Sequence, residues 1–148
     1  MPKPDPIQSM PDWHLATVTR VCDGDTVHLA ASLGLGVEVR PAPARLLGIQ
    51  APELVGRDKW AAQQSRQFLS HHTLNQRLYV HAPGDQRDRY GRWLVWLWLP
   101  HTWGLQSVNR LMVDRLMAYE WWPKGWGYRA QLPPPWVPWP IIDPHGSG

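Results

Sequence analysis

The sequence predicts an α+β chain, mainly β: a five-stranded barrel with two attached helices and an irregular tryptophan- and proline-rich C-terminal tail. Three observations predict it. Short strand patterns occur before residue 50 and again between residues 77 and 100, the last of them an apolar run from Trp93 to Pro100 of buried-strand length; two other stretches repeat their apolar residues at helical spacing; and the composition changes after Tyr119. At 148 residues the chain has the size of one ordinary domain, enough to bury a core without staples. Its one cysteine, Cys22, excludes an internal disulfide and reads as a small buried apolar side chain.

Residues 1–12 hold four prolines and little apolar content, and read as a flexible arm. Residues 14–21 alternate as a first strand. Cys22-Asp23-Gly24-Asp25 is a tight turn in which Gly24 is expected at positive φ, and residues 26–31 return as the second strand of a hairpin. Gly34 and Gly36 mark the next turn. A third strand starts at Val37, is interrupted at Pro41 and Pro43, and resumes from Ala44 to Ile49. Prolines cannot donate to a ladder, so that stretch should be an edge or a bulge.

The period then changes. With Asp58 as N-cap, a first helix is expected to about Thr73, carrying Ala61, Ser65, Phe68, Leu69 and His72 on one face. Residues 77–82 and 92–99 are the fourth and fifth strands, joined through a turn at Pro83-Gly84-Asp85. On the fifth, Trp96 and Trp98 share one face and Trp93 takes the other; one face should be barrel interior and the other should pack under the tail. A second helix is expected over 105–119, with Val108, Leu111, Met112, Arg115, Leu116 and Tyr119 at helical spacing and its apolar members in the core. Five strands, with a helix after the third and another after the fifth, make a small barrel of the oligonucleotide/oligosaccharide-binding (OB) type. The expected organisation is an arm (1–12), a barrel domain (13–119) and a tail (120–148). The tail is too proline-rich for a regular helix or central strand.

The net charge is +3, carried by twelve arginines against three lysines, a balance that suits a polyanionic partner. No stretch is apolar and long enough to span a bilayer, and the N-terminus has no signal-peptide pattern. The expectation is a soluble cytoplasmic protein with no membrane partner, suited to a plasmid- or phage-encoded role. Seven histidines are present, but no pair has convincing metal-ligand spacing, and His71-His72 read as surface or boundary residues.

Polar residues collect where strands end: Asp23-Gly24-Asp25-Thr26, then Arg45-Leu46-Leu47-Gly48-Ile49-Gln50-Ala51-Pro52-Glu53, then Asp88-Arg89-Tyr90-Gly91-Arg92. Any one of these is ordinary; an Asp-Gly-Asp turn alone is what many hairpins use. In this order and spacing they resemble the staphylococcal nuclease (thermonuclease) family over residues 14–119. The resemblance implies a nuclease acting on DNA, RNA or both, with little sequence specificity. Asp25, Gln50 and the backbone carbonyl of Ala51 would hold calcium, or another divalent ion such as magnesium or manganese, with Asp23 and Thr26 in support. Glu53 would be general base to the attacking water, and Arg45 and Arg92 would clamp the phosphate. Family regiochemistry implies 5′-hydroxyl and 3′-phosphate products. Arg87, Arg89, Tyr90, Trp126 and Tyr128 are the expected further nucleic-acid contacts.

The residue types suit that chemistry. A hard cation on oxygen ligands offsets phosphodiester charge, a carboxylate accepts a proton from water, and guanidinium forks stabilise the extra transition-state charge. Two departures matter. Gln50 stands where the best-known family member has a second metal-binding aspartate, with Ala51 in place of a threonine, so weaker metal binding is expected. The tail replaces a third helix. It is expected to wrap over the barrel, or else to present Trp126, Tyr128, Trp136 and Trp139, with Lys124 and Arg129, to bases or a protein partner. The alternative reading is a catalytically impaired OB-fold module for nucleic-acid binding or assembly.

Overall fold

The computed structural model describes residues 12–53, 59–127 and 130–139. Residues 1–11 of the expected arm (1–12), the cap Asp58 and the tail residues Tyr128 and Arg129 lie outside them. Within them the order is β1 (Trp13–Asp23), β2 (Thr26–Gly34), β3 (Val37–Leu46), β4 (Ile49–Gln50), α1 (Lys59–Thr73), β5 (Arg77–His81), β6 (Trp93–His101), β7 (Gly104–Ser107), α2 (Val108–Asp114), β8 (Tyr119–Glu120) and β9 (Trp136–Pro138). Strands β3, β2, β1, β5 and β6 pair in that order, and a parallel pairing of β3 with β6 closes the ring. The closed five-stranded barrel with two helices is the expected architecture.

Alternation fills the barrel. Val18, Val27, Leu29, Leu46, Leu78, Val95 and Leu97 meet inside, and Leu69 of α1 and Met112 of α2 cap the same cluster. The other face of β6 carries Trp96 and Trp98 into a second cluster with Trp13, Leu47 and Leu105. There Trp122, Trp126, Leu132 and Val137 of the tail pack over them. Truncating one such buried tryptophan typically costs about 3–5 kcal/mol, so this second layer is a substantial part of the fold. The tail adds backbone bonds as well: β9 pairs with β7, and β8 pairs with β4.

Several expectations are corrected. Residues 104–107 are strand, not helix. Ser107 caps α2 by accepting from Arg110 N at 3.1 Å, and α2 ends at Asp114. Leu116 is not core: it takes φ +61° and is 90% exposed, while Tyr119 belongs to β8. The helical spacing runs on past Asp114, but burying Met117 and Ala118 and pairing β8 with β4 outweigh it. Gly24 does not have positive φ. It is needed because a Cβ there would meet Ser65 Oγ, with Ser65 Cβ and Ala51 Cβ at 2.8 and 2.9 Å. The prolines of β3 do not interrupt it; the strand is continuous, with its register shift against Leu29 and Ala31 of β2 taken up beside Pro41. On α1 the buried line is Ala62, Ser65, Leu69 and Thr73, with Phe68 only partly buried. Cys22 is half-buried rather than buried. No helix among the described residues is long and apolar enough to cross a membrane.

Candidate active site

The site lies where three chain segments leave the barrel at one end. The β1–β2 turn brings Asp23, Asp25 and Thr26; the end of β3 and β4 bring Arg45, Gln50 and Ala51, followed by Glu53; the start of β6 brings Arg92. Leu46 N donates to Asp25 O at 2.8 Å and Leu47 N to Val95 O at 2.9 Å, which locks the three segments together. Together Asp23, Asp25, Arg45, Gln50, Ala51, Glu53 and Arg92 line a cavity of about 380 Å³.

Asp25 is the hub. Its Oδ2 accepts from Ala51 N at 2.8 Å and lies 3.4 Å from Arg45 Nη1, while its Oδ1 accepts from Thr26 Oγ1 at 2.9 Å. Both oxygens are thereby oriented, and the side chain is buried, as is Arg45. Arg45 also donates to Leu46 O and to Gln50 Oε1, each at 2.9 Å. Burial lowers the pKa of the Arg45 guanidinium, and the Asp25 carboxylate opposes that shift.

Asp23 accepts from Asp25 N at 3.0 Å. Burial first, then the hydrogen bond and charge of Asp25, push its carboxyl up to about 6. A group that binds its proton at about 6 when folded, but at the ordinary 3.8 when unfolded, stabilises the folded chain as pH falls through that window. Metal-free protein is therefore expected to gain melting temperature on acidification from neutrality through pH 6, relative to Asp23→Asn. Parallel pH profiles for the two proteins would refute this. Two partly buried carboxyl groups this close also form the kind of repulsive pair that a hard cation relieves.

Arg92 is held by a second carboxylate. Its Nε donates to Asp88 Oδ2 at 2.7 Å, its backbone N to Asp88 Oδ1 at 2.9 Å, and its Nη1 to Thr26 Oγ1 at 3.3 Å. Burial alone would raise the Asp88 pKa, but hydrogen bonds from Arg92 and Tyr90 outweigh it and hold it below the usual carboxylate range. This fixes the fork by one edge and leaves Nη2 available.

A second cavity of about 750 Å³ continues from the first, lined among others by Arg45, Gln50, Glu53, Arg92, Arg87, Arg89, Tyr90, Trp121 and Trp126. Tyr90 is exposed between the guanidiniums of Arg89 and Arg92, 4.8 and 5.2 Å from its ring. Trp121, also exposed, lies beneath Arg45 at 6.0 Å.

Against this geometry, a family model described as staphylococcal nuclease homologue matches residues 43–132. The chain belongs to the staphylococcal nuclease family. Two relatives are thermonucleases. That of Staphylococcus intermedius is 32% identical over 119 residues, 78% of this chain and 65% of that protein; that of Staphylococcus hyicus is 28% identical over 104 residues, 68% and 56% respectively. The chain thus spans less than two thirds of either relative. The family match takes in Arg45, Gln50, Glu53 and Arg92 and runs past Tyr119 as far as Leu132, into the segment set apart from the sequence as tail. It begins at Pro43, within β3.

The expected site residues Asp23, Asp25, Thr26, Arg45, Gln50, Ala51, Glu53 and Arg92 thus meet at one end of the barrel, and Arg87, Arg89, Tyr90 and Trp126 line the adjoining cavity. Trp136 and Trp139 do not join them. They stand by β7 and the β6–β7 turn, where Trp136 meets Trp103 edge-on at 5.5 Å and Trp139 Nε1 donates to His101 O at 2.9 Å. Four residues escaped the sequence reading as contributors. Asp88 was signalled by its four-residue spacing to Arg92, and Trp121 by the aromatic run 121–122. Ser65, placed on the right face of α1 by helical spacing, closes on Gly24, a contact that spacing does not give; Asn109 is wholly buried beneath Leu47 and Val95, and no periodicity distinguishes it.

Proposed function

We propose that the protein is a divalent-metal-dependent nuclease that hydrolyses phosphodiester bonds in DNA, RNA or both. The observation that carries it is the convergence of a buried aspartate, an exposed glutamate and two oriented guanidiniums on one open cavity. Family membership supports the same reading.

The donor set fits a hard cation. Asp25, Asp23, the Ala51 carbonyl and the Gln50 carboxamide oxygen are all oxygen donors, and burial, with Asp25 beside it, raises the Asp23 carboxyl to about 6. These residues would hold calcium, magnesium or manganese, which would supply Lewis-acid polarisation of the phosphate. Glu53 has the exposure and neighbours to orient a water and take its proton. Arg92, clamped by Asp88, presents a preorganised fork to a phosphate oxygen, and Arg45 contributes its charge from the wall of the cleft. Tyr90 and Trp121 offer flat faces, beside Arg87 and Arg89, to an extended strand. Such binding is largely blind to sequence and falls steeply with salt. Products with 5′-hydroxyl and 3′-phosphate ends follow from the family's chemistry.

Gln50 shapes the metal affinity. Its oxygen is turned to Arg45, and its Nε2 donates to Ala51 O at 3.3 Å, so one candidate ligand carbonyl already has a donor. The test is cleavage of single-stranded DNA, duplex DNA and RNA with calcium, magnesium, manganese or EDTA. Expected are metal-dependent cleavage, none in EDTA, and a lower metal requirement for Gln50→Asp. Nucleic-acid binding by folded protein without cleavage in any metal would instead identify a binding module on the same barrel. The Arg45–Gln50 hydrogen bond, which occupies both a clamp and a ligand, favours that second reading.

A further inference from the structure

The β2–β3 hairpin runs beyond the barrel. On one side β3 pairs with β2 throughout, through Ala31↔Val39, Ser32↔Glu38 and Gly34↔Val37 near its tip. On the other side only Ala44, Arg45 and Leu46 pair, with β6, so among the described residues the outer edge of residues 37–43 carries no strand. Pro41 and Pro43 cannot donate, which confines a free edge with both donors and acceptors to Val37, Glu38, Val39 and Arg40.

This edge is also apolar on one face. Leu33 is 55% exposed, Val37 53% and Val39 38%, and Leu35 at the tip is wholly exposed. Leu33 and Val39 form the rim of an apolar groove of about 300 Å³, floored by Leu29, Ala42, Trp93 and Val95. A long apolar edge strand is normally blunted or covered. Here Glu38 and Arg40, on the opposite face, make an exposed ion pair with each other at 3.7 Å.

We infer that this edge pairs with the same edge of a second copy of the chain, antiparallel about a two-fold axis at Val39. The register follows from the side chains. Centred on Val39, Glu38 of each copy lies opposite Arg40 of the other, Val39 lies opposite Val39, and the valine faces of both copies close over the two grooves. Shifting by one residue sets Glu38 against Val39 and mixes the two faces. Centring on Glu38 sets like charges directly opposite. An isologous contact needs a self-complementary patch, and Val37-Glu38-Val39-Arg40 is one in both charge and polarity. The second copy is favoured over a small apolar ligand because only a strand uses the free donors and acceptors of β3. The active site stays open in this dimer: Arg45 lies five residues past Arg40, about 17 Å further along β3.

The test is sedimentation equilibrium of the full chain over a wide concentration range, with far-UV circular dichroism to verify folding. The wild type is expected to dimerise. Glu38→Arg and Arg40→Glu, each placing like charges opposite at two symmetric points, are expected to weaken the dimer at least about tenfold. The double reversal Glu38→Arg/Arg40→Glu restores the opposition and is expected to recover affinity to within about threefold. An equimolar mixture of Glu38→Arg and Arg40→Glu restores the opposition across the axis but not the ion pair within either copy, so heterodimer formation by that mixture is an outcome that a merely structural role for the ion pair does not produce. A wild type monomeric at every concentration overturns the inference, including one that binds an apolar dye in the groove. So does a dimer indifferent to the single reversals, or one the double reversal fails to restore.

Discussion

Glu53→Gln is expected to lose on the order of 10²–10⁴ in turnover while still binding nucleic acid, the range that a positioned general base supplies. Glutamine keeps the length and one oxygen of the side chain but cannot accept a proton at neutral pH. Glu53 is exposed and makes no hydrogen bond to the aspartate hub, so the substitution should leave Asp25, Arg45 and their bonds in place. Binding is expected to survive because the cationic and aromatic surface of the adjoining cavity is untouched. Single-turnover rates at saturating metal, beside a filter-binding titration, separate the two effects. An unchanged rate would remove Glu53 from the chemistry. A loss of rate and binding together would make it a substrate-positioning residue. By contrast Arg45→Ala is a poor first probe, since it would strip Asp25, Gln50 and the Leu46 carbonyl of a shared partner at once.

A large loss of stability is also expected at Asn109, remote from the cleft opening. Its Oδ1 accepts from Leu97 N at 2.9 Å, and its Nδ2 donates to Leu47 O and Val95 O at 2.9 and 3.1 Å. The side chain is wholly buried, so Asn109→Ala strands groups on β6 and on the β3–β4 turn where no water reaches. Each buried group left without a partner costs about 1–3 kcal/mol; Val95 O keeps its bond from Leu47 N, so the two groups left, Leu97 N and Leu47 O, together cost about 2–6 kcal/mol. Urea unfolding measures it directly. A change below about 0.5 kcal/mol, the range of ordinary surface substitutions, would mean that these three bonds do not hold α2 to the barrel.

The barrel was legible because period-two alternation survives in β1, β2 and β5, and because the apolar run of β6, buried on both faces, has the length of a strand. The end of α2 was not. Leu116 and Tyr119 continue the helical spacing of Val108 and Met112, and only the pairing of Tyr119 with Gln50, about seventy residues away in sequence, shows why the helix stops. Gly24 was recognised as special for the wrong reason: local turn chemistry suggested positive φ, whereas the constraint is the closeness of Ser65 on α1. At the site, three motifs converge because each closes a strand at the same end of the barrel. That Arg45 is buried and bonded to Gln50, and that Arg92 is clamped by Asp88, depends on side-chain geometry that spacing does not encode.

The pairing of β4 with β8, reinforced by Trp121 N donating to Gly48 O at 3.0 Å, bears on how the molecule comes into being. The strand that carries Gln50 and leads into Glu53 has its partner about seventy residues later in the sequence. A nascent polypeptide still on the ribosome, with residues beyond Ala118 inside the exit tunnel, lacks the ladder that shapes one wall of the cleft. Closing so long a loop is also entropically slow. The cleft wall that carries Gln50 is therefore completed only after Tyr119 and Glu120 have left the tunnel, and on the proposed reading the site cannot act before that point.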